Sequence, residues 1–309
     1  MNIEPSNQLD LFYHTSEFSE LKSLYINNKL PNKILLSGEK GIGKCTLAYH
    51  LINFILSTGE EFTYNLSDLK INQNNKTFKL IQNKSHPNFT LVDIFEDKKN
   101  IDINQIRNLI LSLNKSSFNT KPRLVLIDNI ELLNTNSVNA LLKILEEPNE
   151  NINFLLINNN KKILPTLTSR CLEFKIHLNI KQSIDIANKI LNDDVTDLIN
   201  NEFMHNYISV GEILKLIDIG KKNEIDMKLI NLNGLIKQII FEKKYKKDSS
   251  LKQTIYSLIE IYFRNNVSVK NIKLMDAYKY FLKKINDTKK FNLDEEILFM
   301  EFEDRILNG

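Results

Sequence analysis

Apolar positions change their spacing about halfway along the chain. From Lys33 to about Ile176, short apolar runs alternate with stretches of helical periodicity. Strands joined through helices in this way form a parallel sheet with helices on both faces. The predicted strands are 33–37, 89–94, 123–128, 152–157 and 172–176, and the predicted helices include 101–113 and 136–145, the latter stopped by Pro148. The first part of the chain is therefore predicted to be an α/β domain.

After Ile176 the strand pattern stops and only helical periodicity remains. The pattern predicts short helices at 180–191, 195–203 and 210–219, and longer ones at 227–241, 251–264 and 271–285. A last helix from about Leu293 would carry Leu293, Ile297, Met300 and Asp304 along one seam, which is apolar at first and becomes polar near the C-terminus. The polar connection 57–86 is predicted to be an irregular loop. These patterns predict three domains: α/β at 1–176, small and helical at 177–219, and all-α at 220–309.

Composition bounds the class of protein. The 309 residues are 42% apolar and 26% charged, which suits two or three domains and excludes a disordered chain. The sequence contains no run of about 18 apolar residues, so it predicts no transmembrane helix. The N-terminal sequence MNIEPSNQLD lacks the features of a signal peptide, so we expect a cytoplasmic protein with no membrane partner. Two cysteines, Cys45 and Cys171, are too few for a disulfide framework.

The two basic residue types, lysine and arginine, are used very unequally. The chain has 36 Lys and 42 Asn, but five Arg and four Ala. Lysine-rich stretches are therefore weak indicators of nucleic-acid binding, and the net charge of +3 by itself implies no polyanionic partner. A retained arginine carries more weight, because its planar guanidinium offers several donors in a fixed geometry.

A glycine-rich turn, Gly38-Glu-Lys-Gly41-Ile-Gly43-Lys44-Cys45-Thr46, follows the first strand and opens a helix. This is the context of a phosphate-binding loop, where backbone N–H groups and a helix N-terminus face an anion. Lys44 would reach the outer phosphates, and the next position calls for Ser or Thr as a Mg²⁺ ligand. Cys45 is a poor ligand for that hard cation, and Thr46 comes one position late. The turn predicts the fold and leaves open whether ATP and Mg²⁺ occupy the loop.

Asp128 ends the third predicted strand, where such a site has an acidic residue for the metal. The alternative is a solvated carboxylate at a strand end. Its neighbour is Asn129, where an ATPase of this type carries a glutamate that polarises the attacking water. An asparagine cannot accept a proton in that role. We therefore expect no meaningful hydrolysis by this chain alone.

Six stretches together resemble the subunits of AAA+ clamp loaders, and most closely the delta-prime type of bacterial DNA polymerase III. They are 38–46, 85–87, 127–128, 139–148 (NALLKILEEP), 164–165 and 169–171 (SRC). The resemblance covers about residues 10–176, and beyond them only helical character and length agree. It implies an AAA+ P-loop sheet module, a small helical lid and an all-α C-terminal collar that serves oligomerisation.

The resemblance also implies partners and a role. Such a subunit belongs to a pentamer with gamma/tau and delta-type subunits, which uses ATP to load a sliding clamp on primed DNA. In these assemblies the arginine of the SRC stretch, here Arg170, projects into the ATP site of a neighbouring subunit as an arginine finger. The alternative is that Arg170 caps the preceding helix through a local salt bridge.

Departures from the active pattern of this family point in one direction. Cys45 and Asn129 replace the metal ligand and the base, and Glu212 lies near the position of a sensor arginine. Residues 46–127 contain no cysteine, so we expect no zinc module. Asn158 and Asn159 follow the fourth predicted strand, where the family has a polar phosphate sensor. The alternative is that they are part of an asparagine-rich loop. We expect a non-hydrolysing subunit, and the rival hypotheses are an active AAA+ ATPase and a free AAA+ protein that remodels nucleic acid.

Overall fold

The computed structural model describes residues 4–95, 98–115, 119–146, 151–204, 208–246, 249–267, 271–291 and 293–308. The chain forms two compact units. The first comprises Met1–Ile186 with Ser209–Gly211, and the second comprises Ala187–Ile208 with Glu212–Gly309. The division into three domains stays a prediction.

The first unit is built on a five-stranded parallel sheet, which confirms the predicted α/β class. The strand order is β2-β3-β4-β1-β5, so β4 lies between the strand before the glycine-rich turn and the strand before Asp128. All seven residues of β4 are buried, as expected for a parallel strand covered on both faces. The strands are β1 Lys33–Ser37, β2 Phe89–Val92, β3 Arg123–Ile127, β4 Ile152–Asn158 and β5 Leu172–Lys175.

Helices cover both faces of this sheet. Helix α2, Lys44–Leu56, follows the glycine-rich turn, and ten of its 13 residues are buried, which indicates a helix enclosed in a core. Helix α1 was absent from the predicted elements, and Pro148, the predicted stop after α5, lies outside the described residues. The first-unit helices are α1 Thr15–Ile26, α2 Lys44–Leu56, α3 Lys76–Gln82, α4 Ile103–Leu113, α5 Thr135–Glu146 and α6 Pro165–Thr168.

The prediction of an irregular loop over 57–86 is wrong in its second half. Helix α3 lies there, and the side chain of Asn75 caps it by accepting a hydrogen bond from the N–H of Phe78 at 2.8 Å. Tyr64, Ile71 and Phe78 are buried in the core of the first unit. Asparagine is a loop former by composition, but here its amide replaces the hydrogen bonds that a helix end lacks.

The described part of the second unit contains only helices and turns. The predicted helix 195–203 is interrupted, because the side chain of Asn200 accepts from the N–H of Glu202 and starts a separate 3₁₀ turn. Two longer helices differ from their predicted ends: 227–241 starts at Leu232, and 271–285 extends to Phe291. The helices from Ile180 onward are α7 Ile180–Leu191, α8 Val195–Leu198, α9 Val210–Asn223, α10 Leu232–Glu242, α11 Ser249–Asn266, α12 Ile272–Phe291 and α13 Glu295–Phe302.

The predicted apolar seam of the last helix is also wrong. Ile297 and Met300 are 61% and 50% exposed, and Leu293 precedes the helix. The buried residues of α13 are Leu298, Phe299 and Phe302. Phe299 and Phe302 pack in an aromatic cluster that includes Tyr256, Phe263 and Phe281. Periodicity alone could not choose between the two faces, because both are apolar. Among the described residues, no helix is long and apolar enough to cross a membrane.

Candidate nucleotide site and the arginine beside the sheet

The carboxyl ends of β1, β3 and β4 bring the glycine-rich turn, Asp128 and the asparagines after β4 together. Gly43 has φ 92° and ψ 14° at the N-cap of α2, a left-handed conformation that glycine adopts without steric cost. The ring of the buried His14 donates from Nε2 to the carbonyl of Ile42 at 2.6 Å. Sequence analysis gave His14 no role, and this contact fixes the loop from the side of α1.

Lys44 is buried, with 3% of its surface exposed. Its Nζ donates to the carbonyl oxygens of Gly38 at 2.9 Å and Glu39 at 2.6 Å, and to Oδ1 of Asn159 at 3.0 Å. Burial lowers the pKa of Lys44 to about 8, although nearby carboxylates oppose the shift. An ammonium group has three N–H donors, and all three have acceptors within the protein.

Cys45 and Asp128, the positions expected to hold a metal, lie close enough for each to shift the pKa of the other. Burial raises the pKa of Cys45 well above its usual range, so the group is a neutral thiol. Burial and the nearby Asp93 raise the pKa of Asp128 to about 6. Within the described residues, the hydroxyl of Thr46 takes no part in this contact.

Asn129 is the centre of a second polar network. Its Nδ2 donates to Oδ1 of Asp93 at 2.8 Å, and its Oδ1 accepts from Nδ2 of Asn159 at 2.8 Å. The same Nδ2 of Asn159 donates to Oε1 of Glu131 at 2.8 Å. Sequence analysis missed Asp93 and Glu131. The available signal for Asp93 was an acidic residue near the end of the predicted strand 89–94.

The structure distinguishes the two asparagines at the end of the fourth strand, because Asn158 is the last residue of β4 and Asn159 follows it. Asn159 contacts Lys44, whereas Asn158 does not. The side chain of Asn158 donates to the carbonyl of Lys161 at 3.0 Å and accepts from its N–H at 3.2 Å. Asn158 therefore shapes the loop after β4, and its assignment to the nucleotide site stays a prediction. A shift of one residue after a strand changes which side chain faces the neighbouring strand end.

The outer side of the glycine-rich turn is covered by backbone. The carbonyl of Gly41 accepts from the N–H of Gly211 at 2.9 Å. A Cβ atom at Gly41 would lie 2.6 Å from Oγ of Ser209 and 3.0 Å from Cα of Gly211. Only glycine fits here, both for this contact and for its φ of 83°.

Arg170 lies in the short connection between α6 and β5, and its side chain is 32% exposed. Its guanidinium donates to Oε1 of Glu146 at 2.5 Å and to the carbonyl of Thr166 at 2.6 Å. The local salt bridge considered as the alternative role of Arg170 is therefore present. It joins the LEEP stretch to the SRC stretch. Cys171 is half-buried, and burial raises its pKa to about 11.

The residues present do not fit a catalytic Mg²⁺–ATP site. A metal ligand would have to come from Cys45 or Asp128, and Cys45 offers a neutral, buried thiol in place of a hard oxygen ligand. The position of the base carries an amide that is bonded on both sides. The lysine that would contact phosphate has no donor left. The fold of a phosphate-binding loop is kept, but its chemical groups satisfy one another.

Comparisons with known proteins agree on one family. A sequence model for the family described as DNA polymerase III, delta subunit, matches residues 13–179. The chain is 32% identical over 140 residues to the DNA polymerase III subunit delta' of Pseudomonas aeruginosa, covering 45% of this chain and 41% of that protein. It is 26% identical over 285 residues to the DNA polymerase III subunit gamma of Buchnera aphidicola subsp. Acyrthosiphon pisum, covering 86% and 74%.

A solved structure, a DNA polymerase III gamma subunit-related protein of Thermotoga maritima, aligns with a TM-score of 0.47 and 19% identity, covering 91% of this chain and 96% of that one. The chain spans about half the length of the curated delta' relatives it matches.

Proposed function

The chain belongs to the AAA+ clamp-loader family and is close to its delta-prime subunits, and from this premise we propose that it acts in a clamp loader without hydrolysing ATP itself. It supports ATP-driven loading of a sliding clamp on primed DNA, together with gamma/tau and delta-type subunits. In this proposal residues 177–219 form a small helical lid domain, and residues 220–309 form an all-α domain through which the chain oligomerises with the other subunits. Arg170 acts in trans, at the ATP site of an adjacent subunit.

The absence of hydrolysis is supported by one observation above others. Cys45 stands at the position of the metal-binding hydroxyl, and its thiol is neutral and buried close to Asp128. A hydroxyl-to-thiol change removes a hard oxygen ligand. With Asn129 at the position of the base, the site lacks one metal ligand and the group that activates water.

A role for Arg170 in trans rests on its chemistry and its partial exposure. A guanidinium near a γ-phosphate stabilises the negative charge that develops during phosphoryl transfer. In the free chain Arg170 pairs with Glu146, whose side chain is 56% exposed. Such a surface ion pair contributes at most about 1 kcal/mol. A phosphate of higher charge in a dry subunit interface can therefore replace the carboxylate as the partner of Arg170.

The experiment is ATP turnover by a complex reconstituted from this chain and candidate gamma/tau and delta-type subunits. Arg170→Ala is expected to leave assembly intact and to remove the turnover of the adjacent site, since an arginine finger accelerates such a step by about 10³-fold or more. Arg107 is an exposed arginine on α4. The substitution Arg107→Ala is therefore the matched control and should leave turnover unchanged. Equal turnover of the Arg170→Ala and wild-type complexes would contradict the proposed role.

An active ATPase is the second candidate function, because the gamma relative aligns over 86% of this chain and Lys44 and Asp128 are retained. It predicts steady hydrolysis by the isolated chain that Lys44→Ala abolishes. We expect no such activity.

A further inference from the structure

We infer that Lys44 is a structural cation, which holds its own loop closed through Asn159, and that this loop takes no nucleotide. The inference deepens the proposed function, because a chain without nucleotide would act only on the ATP of its neighbours. It concerns the isolated chain, however, and its test does not depend on Arg170 or on assembly.

The hydrogen bonds of Lys44 are the first step. Two of its acceptors, the carbonyls of Gly38 and Glu39, belong to the loop itself, and the third, Asn159, belongs to the next strand end. Lys44 thus ties the two ends of its own loop to β4. A phosphate bound in the loop would have to replace at least one of these acceptors, because an ammonium group has no fourth donor.

Asn159 is itself firmly held. Its amide group donates to Asn129 and to Glu131, both at 2.8 Å, and its backbone N–H donates to Glu131 at 3.3 Å. Asn129 is fixed in turn by Asp93. The acceptor of Lys44 is therefore the last member of a network that spans the ends of β2, β3 and β4. Satisfied networks of this kind are rigid, since each bond orients the next.

Charge favours the same arrangement. The carboxylates of Asp128, Glu131 and Glu39 all stabilise the charged form of the buried Lys44. Lys44 is thus the counter-ion of an acidic cluster. A nucleotide would add several negative charges beside Asp93, Asp128 and Glu131. It would also compete for the cation that these groups share, and leaving a buried charge uncompensated is costly.

Thermal unfolding of the full chain tests this inference with two variants. Lys44→Met keeps the length of the side chain and removes its charge, and Lys40→Met makes the same change at an exposed position of the same loop. Without nucleotide, Lys44→Met is expected to lower Tm by roughly 5–10 °C, and Lys40→Met to leave it unchanged. Failure of Lys44→Met alone to fold would also support a structural lysine. A Lys44→Met protein as stable as wild type would overturn it.

Titration of the wild-type chain with Mg²⁺–ATP is the second measurement. We expect no change in Tm at millimolar ATP. A site with a Kd a hundredfold below the ATP concentration would raise Tm by roughly 5–10 °C, so binding would be readily detected. A rise in wild type that Lys44→Met abolishes would overturn the inference by showing that Lys44 binds phosphate. Neither result bears on Arg170→Ala in the complex, so this inference and the proposed function fail separately.

Discussion

Replacing Asn129 with glutamate tests whether the site is one substitution away from hydrolysis. An active ATPase of this type carries glutamate at this position, so Asn129→Glu is the simplest repair. The structure predicts the opposite outcome, because the surroundings of residue 129 are built for an amide. Its Nδ2 group donates to the carboxylate of Asp93 at 2.8 Å, and glutamate would put a second carboxylate in that place. We expect loss of stability and no gain in turnover.

The expected fall in the free energy of unfolding is the sum of two local contributions. Residue 129 has φ 56° and ψ 48°, a left-handed conformation that asparagine tolerates and that costs glutamate roughly 1 kcal/mol. The hydrogen bond from Asn129 to the charged Asp93 is worth about 2 kcal/mol, and repulsion between two carboxylates acts in the same direction. The free energy of unfolding should therefore fall by about 3 kcal/mol. For a unit of this size the fall corresponds to a Tm lower by roughly 6–12 °C.

Thermal unfolding and ATP turnover of the isolated chain are the assays. Asn28→Glu is the matched control, because Asn28 is exposed and has the same left-handed backbone, with φ 54°. It should show only the backbone cost, a Tm lower by roughly 2–4 °C. The reasoning is refuted if Asn129→Glu is no less stable than Asn28→Glu. Steady hydrolysis by Asn129→Glu would refute it as well.

Two further predictions concern pH and the partner of Arg170. His50 is fully buried beside the hydroxyl of Tyr64, and burial lowers its pKa from 6.5 to about 4. Between pH 6.5 and pH 4 only the unfolded state takes up its proton, so His50 should account for about 3 kcal/mol of stability lost over that range. Denaturant unfolding at several pH values should show a shallower loss for His50→Gln, and equal slopes would contradict the assignment. Glu146→Gln removes the ion pair that Arg170 must leave, so turnover of the reconstituted complex should rise by no more than about fivefold, the equivalent of about 1 kcal/mol. A loss of turnover as deep as that of Arg170→Ala would instead make Glu146 a positioning residue.

Arg170 and Arg123 both donate hydrogen bonds at the ends of helices. Arg170 contacts Glu146 and the end of α6. Arg123 donates from Nη1 to the carbonyls of Ser112 and Leu113, at the C-terminal end of α4. Both use the guanidinium as a fork, as the composition suggested. Whether such a fork stabilises a helix end or reaches another subunit depends on the surroundings, and composition contains no information about them.

The sequence by itself determined the parallel sheet, the order of its elements along the chain and the phosphate-binding turn. These features depend on spacing between near neighbours, such as the apolar run of β3 or the glycines before α2. The missing hydroxyl at Cys45 and the missing acid at Asn129 could also be read directly. Element ends were less predictable, because caps such as Asn75 use a side chain that composition assigns to loops.

Only the tertiary structure decided which polar groups meet. Asp93, Glu131 and Asn159 follow three different strands, and the placement of β4 between β1 and β3 gathers them around Lys44. It also decided which apolar face of α13 is buried. Spacing along a chain describes one element at a time, whereas burial and hydrogen-bond partners depend on which elements pack together. The retained Lys44 could therefore be recognised from the sequence, but its partners could be found only in the folded chain.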